Sequence, residues 1–328
     1  MMGGERILSG MRPTGRLHLG NLLGALDNWV RLQNQYECYF VVVDWHALTT
    51  GYKETAEIVP NTRAMVLDWL AAGIDPERSV IFVQSAVKQH AELHLLFSMI
   101  TPLGWLERCP TYKEQLHQLK EREIATYGFL GYPVLQAADI LVYRADAVPV
   151  GEDQLPHLEL AREIARRFNF LYGEFFPEPK ALLNKVTLLP GLDGRKMSKS
   201  YGNCIQLDSP MDEVRAAIRN MVTDPQRARR TDPGNPDVCP AYVFHRAFNE
   251  ARAPALDPLC RTAGVGCVDC KKELAEAVLA YLGPFAERRR RLAADPGLVD
   301  EVLARGNARA CMVAEETMAK VRSLVKLA

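Results

Sequence analysis

Two short runs carry side chains that could act together on an anion. Near the amino end, Pro13-Thr14-Gly15-Arg16-Leu17-His18-Leu19-Gly20-Asn21 sets an imidazole two residues before a glycine, where a turn gives way to a helix. Gly10, Gly15 and Gly20 let the backbone come close to a nucleotide, and a helix start offers free N–H groups to phosphate oxygens. The spacing is not GxGxxG, so the dinucleotide fingerprint is absent. Far downstream, Lys196-Met197-Ser198-Lys199-Ser200 follows a loop opened by Pro190-Gly191 and Gly194. Two ammonium groups around a small serine can follow a moving pyrophosphate without a rigid fork. Either run alone is a modest signal. Together they mark two candidate places for phosphate contact.

A third constellation lies between them. Tyr132, Gln136, Asp139 and Tyr143 recur at intervals of four, three and four, so they share one face of a helix that carries Pro133 in its expected first turn. The opposite face is apolar. A carboxylate on such a helix needs a partner, because burying it unpaired costs roughly 2 kcal/mol or more. That partner is either an internal hydrogen-bond network or a ligand donor. An aromatic ligand with one N–H or O–H, tryptophan or tyrosine, would suit the second case. A site with such an acceptor rejects isosteres that lack the polar hydrogen.

Eight cysteines fall into two sets. Cys38, Cys109, Cys204 and Cys311 are scattered and read as small buried apolar groups. Cys239, Cys260, Cys267 and Cys270 form a Cys-x20-Cys-x6-Cys-x2-Cys pattern, the thiol count of a tetrahedral zinc or a cuboidal iron–sulfur site.

The elements that must position these groups follow from hydrophobic patterning. Ile7-Leu8, Cys38–Asp44 and Ser79–Val83 are near-continuous apolar runs, as strands buried on both faces should be, and helical patterns separate them. Such alternation predicts an α/β fold with a Rossmann-like, doubly wound parallel sheet over residues 1–205. Beyond that, strand signals stop and residues 206–328 read as an all-helical domain. The 328 residues carry 40 basic and 40 acidic side chains; residues 1–209 hold 21 Lys/Arg against 24 Asp/Glu, and the remainder 19 against 16. This balance argues neither for nor against RNA. Arg227-Arg229-Arg230, Arg288–Arg291 and Lys271-Lys272 are the candidates for phosphate contact. No apolar stretch is long enough to span a membrane and no signal peptide is seen, so a soluble cytoplasmic protein is expected.

His18-Leu19-Gly20-Asn21 resembles the HIGH signature, and Lys196–Ser200 the KMSKS signature, of class I aminoacyl-tRNA synthetases. The runs Tyr132–Tyr143 and Val148-Pro149-Val150-Gly151-Glu152-Asp153-Gln154, with Gly10–Asn21, make the whole chain similar to the bacterial tryptophanyl-tRNA synthetase family. The resemblance implies an ATP-dependent tryptophan–tRNA ligase, with Mg²⁺ accompanying ATP, tRNA(Trp) and tryptophan as partners, and a homodimer. It implies that Lys196, Lys199 and His18 serve catalysis, and that Arg12, Pro13, Thr14, Gly20, Asn21, Gly151, Glu152, Asp153, Leu188, Met197 and Ser198 help bind ATP. Asp139 would accept from the indole N–H, Tyr132, Gln136 and Gln154 would surround the α-amino group, and Leu8, His46, Val148 and Val150 would line the indole slot. The cysteine spacing resembles a subgroup with a [4Fe-4S] cluster beside the anticodon-binding region, with structural zinc as the alternative. Two other readings share parts of the pattern: a nucleotidyltransferase without RNA, and a non-catalytic RNA-binding paralogue.

Overall fold

The computed structural model describes residues 4–109, 125–183, 189–198 and 201–327. Five strands, β1 (Arg6–Met11), β2 (Glu37–Val42), β3 (Val80–Val83), β4 (Ala147–Val150) and β5 (Lys180–Leu183), form one parallel sheet in the order β3-β2-β1-β4-β5. The apolar runs place β2 and β3 to within a residue or two and mark β1, which extends three residues beyond Leu8. β4 escaped notice because Pro149 lies in its middle, where proline cannot donate to the ladder.

Alternate residues of β2 face opposite layers. Phe40 and Val42 pack with Trp29 and Trp69 on one side; Tyr39 and Val41 pack with Phe82, Phe97 and Tyr143 on the other. The first layer runs on into Phe244, Leu274, Val278 and Phe285, so the helices after residue 205 share its core.

The last helix, Leu298–Leu324, returns to the sheet and supplies Ala310, Ala314, Met318 and Val321 to the second layer. It covers the edge strand: the Val83 N–H donates to Asn307 Oδ1 at 2.9 Å, which removes an open pairing site. A Cβ on Gly306 would lie 1.7 Å from the Ile81 carbonyl oxygen, so only glycine permits this approach.

The Asp139 helix spans Tyr127–Val142 rather than starting beside Pro133. Thr126 caps it, its hydroxyl accepting from the Phe129 N–H at 3.2 Å. Pro133 therefore sits inside the helix.

Candidate active site

In a sheet of this order the chain reverses direction of growth between β1 and β4, and a crevice opens at their carboxyl ends. There a cavity of about 360 Å³ is lined by Leu8 to Arg12, Val41, Val43, His46, Tyr132, Gln136, Asp139, Val148 to Val150, Gln154 and His157. Its size falls in the range of small-molecule sites. Every residue expected around the amino acid (Leu8, His46, Tyr132, Gln136, Asp139, Val148, Val150 and Gln154) lines it, and so does Arg12. Gly10 to Arg12 form one wall as they leave β1.

Asp139 is 2% exposed and already satisfied from behind. Oδ1 accepts from His90 Nδ1 at 2.6 Å and from Gln84 Nε2 at 2.8 Å. Oδ2 accepts from His46 Nε2 at 2.8 Å and shares the Gln84 donor at 2.9 Å. Burial pushes this carboxyl up, but the hydrogen bonds from His46 and His90 outweigh it and hold the group at about 2. It is thus an anion at any physiological pH. The internal network, one of the two alternatives left open by its apolar helix, is present, and Asp139 also lines the cavity. Tyr132 donates or accepts at 2.6 Å with His157 Nε2, and burial lowers the His157 imidazole, against a smaller rise from Asp153. Burial also lowers Arg12, countered in part by the nearby Tyr132 phenol. The Gln154 amide donates to Asp153 at 2.8 Å.

The run around His18 and the run around Met197 meet outside this cavity. The backbone of residues 17–19 pairs with 205–207: Leu19 N–H donates to Ile205 at 3.0 Å, and Leu207 N–H to Leu17 at 2.9 Å. A Cβ on Gly20 would lie 3.0 Å from the His18 ring and 3.3 Å from Met197 Sδ, so this glycine lets imidazole and thioether crowd together. The Asn21 carboxamide oxygen accepts from the His18 N–H at 3.0 Å, closing the first helical turn. Asn203, which follows the second run, ties that loop down. Its Nδ2 donates to the Lys196 carbonyl at 3.1 Å and to Asp193 at 2.8 Å, and its Oδ1 accepts from the Ser198 N–H at 2.8 Å. Pro13, Thr14, Gly151, Glu152 and Asp153 do not line the cavity. Leu188 and Lys199 lie outside the described residues.

A family model for class I tRNA synthetases of tryptophan and tyrosine matches residues 4–283. The chain belongs to that family. Among its relatives, a Thermotoga maritima tryptophan–tRNA ligase is 55% identical, covering 98% of this chain and 99% of the relative. The Deinococcus radiodurans tryptophan–tRNA ligase is 46% identical, covering 98% of each. A crystal structure of the Campylobacter jejuni tryptophanyl-tRNA synthetase with ADP and tryptophan superposes with a TM-score of 0.87 at 35% identity, covering 98% of this chain and 100% of that one. A synthetase with these full-length relatives is a tryptophan–tRNA ligase, with ATP as substrate.

Some of the basic residues expected at phosphates also hold the chain together. Arg288 donates to the Ala71 carbonyl at 2.7 Å and Arg289 to Asp68 at 2.6 Å, which ties their helix, Cys267–Ala293, to the helix Ile58–Ala72. Lys271 donates to the Met221 carbonyl at 3.0 Å, and Arg227 to Val265 and Arg230 carbonyls.

The four-cysteine site is met only halfway. The thiols of Cys239, Cys260, Cys267 and Cys270 lie near enough to perturb one another, and Cys270 is pushed up to about 12, first by burial and then by the other three. Yet among the described residues no group of three or more His, Cys, Asp or Glu is close enough to hold a metal ion. The motif spacing brings the thiols to one place but does not dictate their separation.

Sequence reasoning missed Gln84, His90 and His157. Gln84 and His90 flank the loop after β3, where a doubly wound sheet puts ligands, but no spacing rule links them to residue 139. No helix among the described residues is long and apolar enough to cross a membrane.

Proposed function

We propose that the cavity holds tryptophan with its indole N–H donating to Asp139, and that the residues around it assemble tryptophanyl-AMP. The observation that carries this is a buried carboxylate set in the wall of a slot that also presents apolar side chains such as Leu8, Val41, Val148 and Val150. In this reading Leu8, His46, Val148 and Val150 flank the ring. Tyr132, Gln136 and Gln154 surround the α-amino group, which leaves the carboxylate pointing to the Gly10–Arg12 wall. ATP, accompanied by Mg²⁺, lies across the carboxyl edge of the sheet. Pro13, Thr14, Gly20 and Asn21, with Met197, Ser198 and Leu188, border the nucleotide, and Gly151, Glu152 and Asp153 lie toward its ribose. The tryptophan carboxylate attacks the α-phosphate. His18, Lys196 and Lys199 then stabilise the charge that moves onto pyrophosphate, so catalysis rests on positioning and electrostatics with no covalent enzyme intermediate. The second step passes tryptophan to the tRNA.

Residues 1–205 serve as the catalytic domain in this reading, and 206–328 carry the anticodon-binding surface, with Arg229, Arg230 and Lys272 as phosphate contacts. The exposed apolar side chains Leu95, Met99 and Leu103 support a homodimer. The enzyme acts in the cytoplasm, where its tRNA is found.

The spacing of the four cysteines resembles that of the cluster-bearing subgroup, which favours an iron–sulfur cluster over zinc, while the thiol count suits either. Cys239, Cys260, Cys267 and Cys270 would hold it, and the Arg227 guanidinium, 3.7 Å from Cys267, would favour the thiolates. Anaerobic purification yielding iron, sulfide and a visible absorption band supports the cluster; stoichiometric zinc without iron rejects it.

ATP–pyrophosphate exchange with each of the twenty amino acids tests the activity. Exchange driven by tryptophan alone is expected. Equal exchange with tyrosine, or none with tryptophan, would overturn the assignment.

A further inference from the structure

Three elements behind the cavity converge on Asp139. Gln84 sits just after β3, His90 opens the next helix, and Tyr143 follows the Asp139 helix; Gln84, His90 and Tyr143 are all fully buried. None of the three lines the cavity.

Their hydrogen bonds leave little freedom. The Trp45 N–H donates to Gln84 Oε1 at 3.1 Å, which fixes the orientation of that amide and aims its Nε2 at both Asp139 oxygens. His90 Nδ1 meets Asp139 Oδ1 at 2.6 Å, and its Nε2 meets the Tyr143 hydroxyl at 2.8 Å. Stacking on Tyr39 at 4.8 Å and an edge contact with Phe82 at 5.2 Å hold the Tyr143 ring in turn.

A carboxylate offers about four lone-pair positions. Oδ1 is filled by Gln84 and His90, the two donors behind the wall. Oδ2 takes His46, a lining residue, and a share of Gln84, so His46 is the one of these three donors that itself lines the cavity with Asp139.

We propose that Gln84, His90 and Tyr143 are positioning residues for amino-acid selection: they fill the rear of the Asp139 carboxylate and hold Oδ2, the oxygen that also meets the lining residue His46, at the cavity wall for the ring N–H of the substrate. The inference rests on the reading that Asp139 meets the indole. Without the relay, the carboxylate can rotate and satisfy itself internally, and an N–H in the substrate ring gives no advantage. Preformed geometry of this kind is what lets a site reject an analogue that lacks the donor.

The test compares tryptophan with 3-benzothienyl-alanine, in which sulfur replaces the ring N–H, in ATP–pyrophosphate exchange. The readout is the ratio of kcat/KM for the two substrates, which a general loss of packing would not change. His90→Leu should lower the ratio roughly tenfold, equal to about 1.4 kcal/mol. His90→Asn, whose amide N–H takes the place of Nδ1, should restore most of it. Tyr143→Phe removes one hydroxyl, keeps the ring and should lower the ratio by a smaller factor of about three, roughly 0.6 kcal/mol by the same conversion. It therefore gives an answer even where His90→Leu fails to fold. An unchanged ratio in Tyr143→Phe, and in His90→Leu where it folds, overturns the proposal. Asp139→Asn is the control. If it too leaves the ratio unchanged, the indole assignment itself falls; if it alone collapses the ratio, only the relay does.

Discussion

Replacing Asp139 by asparagine keeps the shape of the side chain and removes its charge. In the native site the carboxylate accepts from His46, Gln84 and His90, with contacts of 2.6 to 2.9 Å. An asparagine must present an N–H₂ to one side. The rear side is closed by Gln84, whose amide orientation is pinned by Trp45, so the N–H₂ turns toward His46, which can switch tautomer to accept it. That puts a donor where the indole N–H should find an acceptor. A hydrogen bond to a charged group contributes about 1.5–3 kcal/mol. At about 1.4 kcal/mol per decade, KM for tryptophan should rise roughly 10- to 150-fold. In the proposed arrangement ATP lies elsewhere along the sheet edge, so its KM should change by less than about threefold. Pyrophosphate exchange with each substrate varied in turn measures both, and a thermal melt checks that the variant is folded. Equal losses for tryptophan and ATP, or an unaltered tryptophan KM, would refute the reasoning.

Other consequences follow from different parts of the molecule. Lys196→Ala should slow adenylate formation on the order of 100-fold, as loss of one preorganised donor does, with tryptophan affinity by equilibrium binding little changed; weakened tryptophan binding would contradict its place at the phosphates. Gly306→Ala forces a methyl group into the Ile81 carbonyl and should cost about 1–3 kcal/mol, seen as a lower Tm; an unaltered melt would show that the helix can lift without penalty. Asp68 is buried and pushed up from 3.8 to about 6, the cost of burial exceeding the pull of Arg289. A carboxyl that holds its proton more tightly folded than unfolded adds stability below about pH 4 that is lost as pH rises through 6. The unfolding free energy of wild type relative to Asp68→Asn should therefore fall by up to about 3 kcal/mol across that window. A flat difference in chemical denaturation would show that the group is an ordinary anion throughout.

Local chemistry was legible without coordinates. Continuous apolar runs such as Cys38–Val43 mean strands covered on both faces, and three of them separated by helices leave little besides a doubly wound sheet. The intervals between Tyr132, Gln136 and Asp139 put them on one helix face, and all three line the cavity. Helical periodicity likewise announced the segments after residue 205, since a helix buries a stripe set by its own repeat.

What the chain order could not carry was contact between distant segments. Gln84, His90 and His46 reach Asp139 only because the segments that follow β2 and β3 pack against the Tyr127–Val142 helix. Arg289 reads as part of a solvated basic run, yet it sits on a buried carboxylate some two hundred residues earlier. The last helix has the pattern of an independent helical domain, but a single glycine lets it lie on the edge of β3. Periodicity reports which face of an element is apolar; which neighbour covers that face is decided by the packing of the whole sheet. The same holds for the four thiols, whose spacing brings them together while the separation that selects a ligand belongs to the fold.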